Sequence, residues 1–324
     1  MDVLSEALRG FRFSGAIFIE AELTGPWAVV TPSAMDITAV LSLGADHVIP
    51  YHLVTAGECT VTLRGREPVL LTSGDIALFP HGDVHTLASQ GGIPPTVLSR
   101  DFVGNVLKRR SVLPIRHGGG GGTTQMLCGF FVMDHWYGQH LVKGLPPFVS
   151  GHVGNEGGQQ LLAAVARRSI QEEKARGPGS DALICRLSEV LFLEALRLIV
   201  KDGSVPVMGW LAGLRDPSIH HALSLIHARP QHPWSVAALA RDCGMSRSGF
   251  VGRFSSLIGS PPMKYLAQWR MTLAARDLSE QDATVMEIAD RYGYGSEASF
   301  TRAFRRAFNI PPATFRREQH GNHR

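Results

Sequence analysis

Cysteine is scarce in this 324-residue sequence, and the four present, Cys59, Cys128, Cys185 and Cys243, stand far apart with no Cys-x-x-Cys pair. That spacing excludes a zinc ribbon and argues against a disulfide framework. Reduced, buried thiols in a cytoplasmic protein are the expectation. Long hydrophobic runs are missing as well. The most apolar stretch, LSEVLFLEALRLIV at 187–200, is interrupted by Glu189, Glu194 and Arg197 and is too short to span a bilayer. The opening MDVLSEALRG lacks the basic and apolar regions of a secretory leader. No membrane partner is expected. The glycine run RHGGGGG at 116–122 lacks the Gly-Lys-Ser/Thr ending and following helix of a phosphate cradle, so it reads as a flexible loop.

What is present is ordinary for a soluble chain with a sizeable core: 44% hydrophobic and 19% charged residues, at a length that accommodates two domains. Charge is unevenly placed. From Pro217 onward there are 14 Lys and Arg against 8 Asp and Glu, leaving 18 basic and 20 acidic residues in the first 216. The final third is therefore net +6 behind a body of net −2, which points to a polyanion partner for that third alone.

Residues 27 to about 135 read as short strands punctuated by Gly, Pro, Asp and Ser, including WAVV, HVIPYHLVTAG, CTVTLRG, PVLLTSGD, IALFP and MLCGFFVM. Closely spaced short strands predict a sandwich or small barrel over residues 1–150. The period then changes from 2 to 3.6. Two amphipathic helices follow within 151–203, separated by Gly177-Pro178, with Ser180 or Asp181 as N-cap of the second. The second is apolar on most sides and needs a partner, either a second copy of the chain or the strand domain of the same chain. A Gly- and Pro-punctuated linker is expected at 204–216, a helical domain at 217–317 and a disordered tail at 318–324.

Two segments of the helical domain share one design. SVAALARDCGMSRSGFVGRFSSLIGSPP (235–262) and TVMEIADRYGYGSEASFTRAFRRAFNIPP (284–312) each hold a short helix, a glycine turn, a second helix and a Pro-Pro stop. Ala240 and Ala289 sit four residues before Gly244 and Gly293, where a small residue lets two helices approach. Ser246 and Ser296 are placed to cap the second helices. This is a helix-turn-helix, present twice. Phe300, Phe304 and Phe308 recur every fourth residue and must face inward. The opposite face then carries Glu297, Ala298, Thr301, Arg302 and Arg305, suited to reading base edges in a major groove. In the first unit Phe250, Phe254 and Leu257 mark the buried side, and Arg247, Ser248, Val251 and Gly252 face out.

These residues resemble the AraC/XylS-type bacterial transcription regulators over Pro217 to about Arg317. Ala289, Gly293-Tyr294, Ser296, Phe300, Arg302, Phe304, Asn309, Pro311 and Phe315-Arg316 carry the likeness. Asn309 replaces the family's glycine but tolerates the left-handed helix stop. Val251 and Gly252 stand where polar residues are usual, which makes the second unit the expected main reader. The resemblance implies a homodimer on double-stranded DNA that works with RNA polymerase.

The first half is similar to the cupin sensor domain of some such regulators, through YHLVTAGECTV, LTSGDIALFPHGDVHTL and LCGFFVMDH. The implied fold is a β-barrel domain joined to an all-α domain. Gly74, Pro80, Gly82 and His85 fit the second cupin motif. The first motif lacks its glutamate, since Pro50 stands in its place, so iron or manganese chemistry is broken. A cupin enzyme with a DNA-binding appendage is the rival reading, and the missing carboxylate argues against it. His52, His85 and Cys128, with His47 or His81 in reserve, are expected to converge inside the barrel. They would hold one zinc or copper ion, line a pocket, or contact an organic effector. Cys128 as a redox switch would need a neighbour that lowers its pKa.

Overall fold

The computed structural model describes residues 13–41, 47–98, 104, 115–133, 142, 145–152, 158–175, 177–202 and 209–321. They separate into a strand-rich unit within 12–206 and a helical unit from 207 onward.

The strand-rich unit holds two sheets. One has the order β11-β6-β3-β10-β1-β9, built from β1 (Phe13–Thr24), β3 (His47–Ala56), β6 (Asp75–Leu78), β9 (Ile115–Gly118), β10 (Thr123–Met133) and β11 (Val149–His152). The other has the order β5-β4-β7-β2-β8, from β2 (Ala28–Val30), β4 (Glu58–Leu63), β5 (Val69–Thr72), β7 (His85–Ala88) and β8 (Thr96–Val97). Their facing side chains share one core, including Leu23, Trp27, Val54, Val61, Leu71, Phe79, Leu87 and Met126. The expected closed barrel is not formed among the described residues; the two ladders remain separate. Gly57 shows one reason. Its φ of 76° turns the chain sharply, and a Cβ there would lie 2.4 Å from the Thr123 carbonyl oxygen. The consecutive strands β3 and β4 thus enter different sheets instead of pairing.

Three other expectations change. Ala34–Leu41, which carries no strong periodic signal, forms α1. The glycine run read as a flexible loop is a packed turn: Gly119 and Gly121 donate to the carbonyls of Thr24 and Gly25, and a Cβ on Gly118 would sit 1.8 Å from the Thr24 oxygen. Bare backbone is what lets these two segments touch. The strand domain also reaches past 150, because β11 pairs with β6.

Two long helices follow, α2 (Gly158–Ala175) and α3 (Ser180–Asp202). Ser180 opens α3 and donates its hydroxyl to Glu172 Oε1 of α2 at 2.6 Å, so it ties the pair together. α3 buries Leu191, Phe192, Ala195 and Leu196. Phe192 meets Phe131 of β10 edge-on, with ring centroids 5.5 Å apart, and Phe131 in turn stacks on Tyr51 of β3. The apolar face of α3 is therefore satisfied by its own sheet.

The helical unit begins earlier than expected. Trp210–Arg215, within the segment read as linker, is a helix (α4) followed directly by α5 (Pro217–Ala228), whose N-cap is Asp216. Gly213 of α4 packs so closely that a Cβ would meet Ile258, Leu223 and Ile219 within 3.2 Å. Then come α6 (Val236–Asp242), α7 (Arg247–Ile258), α8 (Pro262–Glu280), α9 (Val285–Arg291), α10 (Glu297–Phe308) and α11 (Pro312–Gly321). α11 takes in residues 318–321 of the expected tail. Two cores lie along α8. Leu266 joins Leu223, Trp234, Leu239, Phe250 and Phe254 in the first, and Leu278 joins Ile288, Phe300, Phe304, Phe308 and Phe315 in the second.

Candidate functional site

The pairs α6–α7 and α9–α10 are built alike. Met245 N–H donates to the Ala240 carbonyl and Tyr294 N–H to the Ala289 carbonyl, each at 2.9 Å. Gly244 and Gly293 take φ of 67° and 76°, which only glycine adopts without strain. Ser246 and Ser296 accept the N–H groups of Gly249 and Ser299 as N-caps, both at 3.2 Å. Gly259 and Asn309 end α7 and α10 in the left-handed region. Ala240 and Ala289 are buried where the helices of each pair meet.

Burial then separates the faces. Phe300, Phe304 and Phe308 are buried, while Glu297, Ala298, Arg302 and Arg305 are exposed and Thr301 is half-buried. On α7, Phe250, Phe254 and Ile258 are buried, with Leu257 only partly so. Arg247, Ser248 and Gly252 are exposed and Val251 is half-buried. The helix winding carries Val251 toward the core edge, so it is less open than expected.

Two groups of arginines stand out in this unit. Arg253 is tied to Asp216 at 2.5 Å, Arg291 to Asp277 at 2.6 Å, and Arg270 to the Pro230 and His232 carbonyls at 2.6 and 2.9 Å. Arg316 donates to the Leu278 and Ala283 carbonyls. These four brace the helices. The side chains of Arg247, Arg302 and Arg305 make no hydrogen bond or ion pair to any described residue, and all three lie on the outward faces of α7 and α10. Arg306 is also exposed, on the same outward face opposite the phenylalanines, and the four-residue spacing that singles out Arg302 reaches it as well.

A family model for a helix-turn-helix domain matches residues 239–318, and one described as a cupin matches 2–201. A putative AraC-like transcription regulator of Streptomyces lividans is 31% identical, the alignment covering 98% of each chain. The protein belongs to the AraC-type transcription regulators. It is similar also to the HTH-type transcriptional regulator AlkR of Acinetobacter baylyi, 28% identical over 98% of this chain and all of that one. The solved DNA-binding domain of AdpA, in complex with a target DNA, covers 33% of this chain and 96% of its own at 32% identity, with a TM-score of 0.31. The helix-turn-helix match and the regulators of Streptomyces lividans and Acinetobacter baylyi make this AraC-type chain a DNA-binding regulator and not an enzyme.

In the cupin domain of this regulator, His52 on β3 and His85 on β7 meet across the two sheets with Nε2 atoms 2.7 Å apart. Phe79 stacks flat on His85, centroids 3.4 Å apart. His85 Nδ1 lies 2.9 Å from the Asp83 carbonyl oxygen and 3.0 Å from Thr31 Oγ1. A carbonyl only accepts, so His85 carries its proton on Nδ1 and its Nε2 is a bare acceptor. His52 must then donate from Nε2, which leaves its Nδ1 as a bare acceptor. That atom is buried and has no partner among the described residues. Desolvation pulls the His85 pKa down to about 4 and that of His52 well below its ordinary value, so both rings are neutral near pH 7.

The expected metal set does not assemble. Cys128 is the cross-strand neighbour of His52, yet no group of three His, Cys, Asp or Glu with metal-holding geometry occurs among the described residues. His47 and His81 are engaged elsewhere, by the Pro80 carbonyl at 2.6 Å and the Leu145 carbonyl at 2.8 Å. Burial, with Cys59 nearby, pushes the Cys128 thiol far up, the opposite of what a reactive thiolate or a ready metal ligand needs. His52 and Cys128 instead line a cavity of about 400 Å³ between the sheets, with Ile19, Leu23, Met126 and Phe130 among its apolar walls.

Proposed function

We propose that this regulator reads DNA with both helix pairs, each a helix-turn-helix, and that a small molecule in the cupin cavity modulates that binding. α10 would lie in a major groove with Arg302 and Thr301 at base edges, Glu297 and Ala298 beside them, and Arg305 on phosphate. α7 would enter a neighbouring groove through Arg247, Ser248 and the small Gly252, with Val251 at its edge. The observation that carries this reading is the sorting of arginines: Arg253, Arg270, Arg291 and Arg316 brace the fold, while Arg247, Arg302, Arg305 and Arg306 are exposed on α7 and α10 with no side-chain hydrogen bond or ion pair to a described residue. Titration of promoter fragments with the full chain, monitored by fluorescence anisotropy, tests it. Arg302→Ala should lose affinity mainly at one base pair, whereas equal weakening on every sequence would refute base reading by that helix.

The cavity is the proposed effector site in place of a metal centre. Its volume lies in the range of small-molecule pockets, and its walls are mostly apolar with few polar groups. Occupancy would bias how the DNA-binding units are held and which half-sites a dimer spans. The proposed dimer seam is on α3. Leu183, Val190 and Leu193 are 36–42% exposed there, and with Arg186 and Arg197 they follow an alternating three–four spacing. That is the pattern of a helix seam against a second copy. RNA polymerase as partner and a cytoplasmic location complete the proposal; no described helix is long and apolar enough to cross a membrane.

A further inference from the structure

The polar inventory of the cavity is short. Thr31 is occupied: its hydroxyl donates to the His85 carbonyl at 3.0 Å. Arg116 in the lining is paired with Glu22 at 3.7 Å and stands largely in solvent. No other Lys, Arg, Asp or Glu among the described residues lines the space. Cys128 offers a neutral thiol. Thr96 and His117 also line the space but are exposed, at its solvent side. The buried polar group that remains is His52, 6% exposed, whose Nε2 is committed to His85 and whose Nδ1 lacks a donor. A buried acceptor without a partner is destabilising, and a ligand that supplies the missing donor recovers that loss on binding.

We propose that the cavity takes an uncharged, largely hydrocarbon molecule carrying a single hydroxyl or N–H donor, which His52 accepts at Nδ1. The assignment rests on reading this cavity as the effector site, and it adds the chemistry the effector must have. The His85–Asp83 contact sets the polarity. Because that carbonyl holds the His85 proton on Nδ1, the chain of hydrogen bonds runs from His52 to His85 and leaves an unpaired acceptor at its His52 end, buried in the cavity wall, which a small tilt of the ring presents to the ligand. A carboxylate would set lone pairs against lone pairs at Nδ1, and Arg116, the one Lys or Arg among the described lining residues, stands largely in solvent and is paired with Glu22. A plain hydrocarbon would fill the space and leave Nδ1 unpaired.

The test uses the full chain and two matched probe sets on different scaffolds, 2-naphthol with naphthalene and 2-naphthoate, and 1-octanol with octane and octanoate. Binding is read by calorimetry and by the fluorescence of buried Trp27, and operator affinity is measured in parallel. In at least one set the alcohol is expected to bind about tenfold or more tightly than its hydrocarbon and carboxylate partners. His52→Phe should abolish that preference while hydrocarbon binding remains, and Met126→Trp should abolish binding of every probe by filling the cavity. Equal binding of alcohol and hydrocarbon, or tightest binding of the carboxylate, overturns the proposed chemistry. Binding of no probe overturns it together with the effector reading. Alcohol binding as expected with unchanged operator affinity overturns the effector reading alone. The wild-type series separates these outcomes even should His52→Phe fail to fold.

Discussion

At the scale of single residues, the same side chain type does opposite work in one domain. Arg302 has no protein partner among the described residues, so its planar guanidinium is free to meet a base edge, and Arg302→Ala should cost about 1–3 kcal/mol at its preferred base pair. Binding to a set of single-base operator variants would show the loss concentrated at one position. Arg291 instead meets Asp277, which is 1% exposed and also accepts from the Tyr292 hydroxyl at 2.8 Å. Asp277→Ala leaves Arg291 and Tyr292 without that acceptor and should destabilise the helical unit by about 3 kcal/mol, visible in its urea unfolding by circular dichroism. Nothing in the sequence separates these two arginines, because pairing depends on which helix packs beside which. The histidines add a pH effect. Their folded pKa values are depressed, His85 to about 4, while the unfolded ring keeps its ordinary value near 6.5. The unfolded chain therefore binds protons first, so stability is full above about pH 6.5 and falls as pH drops toward 4. The loss amounts to about 3 kcal/mol from His85. Acid titration of the cupin domain's unfolding midpoint should show this slope, and His85→Gln should flatten it.

At the scale of elements, the helix pairs were legible because their signals are local. Caps, glycine turns and phenylalanine spacing all act within a dozen residues, and Ser246, Ser296, Gly244, Gly293 and Asn309 each do what their chemistry suggests. The two turn glycines nonetheless differ. A Cβ on Gly244 would meet open space, whereas one on Gly293 would lie 2.9 Å from the Gln231 carbonyl oxygen, close to where Arg270 clamps Pro230 and His232. Gly244→Ala should cost about 1–2 kcal/mol from the left-handed backbone alone. Gly293→Ala adds the collision and should cost clearly more, as a comparison of thermal unfolding midpoints would show. The strands were less legible. β8, β9 and β11 leave little local trace because a sheet strand is defined by partners far along the chain, and α1 because one short helix gives little periodic signal; β1, with its run IFIEAEL, lies ahead of the stretch read as strands. Gly118 and Gly121 looked like slack for the same reason: their close neighbours, Thr24 and Gly25, lie nearly a hundred residues earlier.

At the scale of the whole molecule, the α3 helix satisfies two demands. Its inner face covers the sheet through Phe192 and Phe131, which answers the expectation of a partner for so apolar a helix. Its outer face still carries Leu183, Val190 and Leu193, flanked by the Arg186–Glu189 and Arg197–Glu194 pairs. If the proposed dimer forms through that face, Val190→Glu with Leu193→Glu should convert it to monomer in sedimentation velocity and weaken binding to paired half-sites, with the fold retained. If the double variant sediments like the parent, the seam lies elsewhere.

The amino-acid sequence by itself determined the class of the protein. The basic final third, the duplicated turn design and the inward phenylalanines follow from neighbours within one or two helical turns, and they lead to DNA without any knowledge of tertiary contacts. The tertiary structure alone decided what the first half is equipped to bind. His52 and His85 lie 33 residues apart and Cys128 is 76 beyond His52, so their grouping depends on how two sheets face each other. In that packing the two histidines bond through their Nε2 atoms and leave His52 Nδ1 unpaired, His47 and His81 turn to carbonyls, and Cys128 joins a cavity wall. A ligand set written along the chain thus became a neutral, mostly apolar pocket. The difference arises because local spacing directs a helix, whereas a cavity is made by every strand that surrounds it.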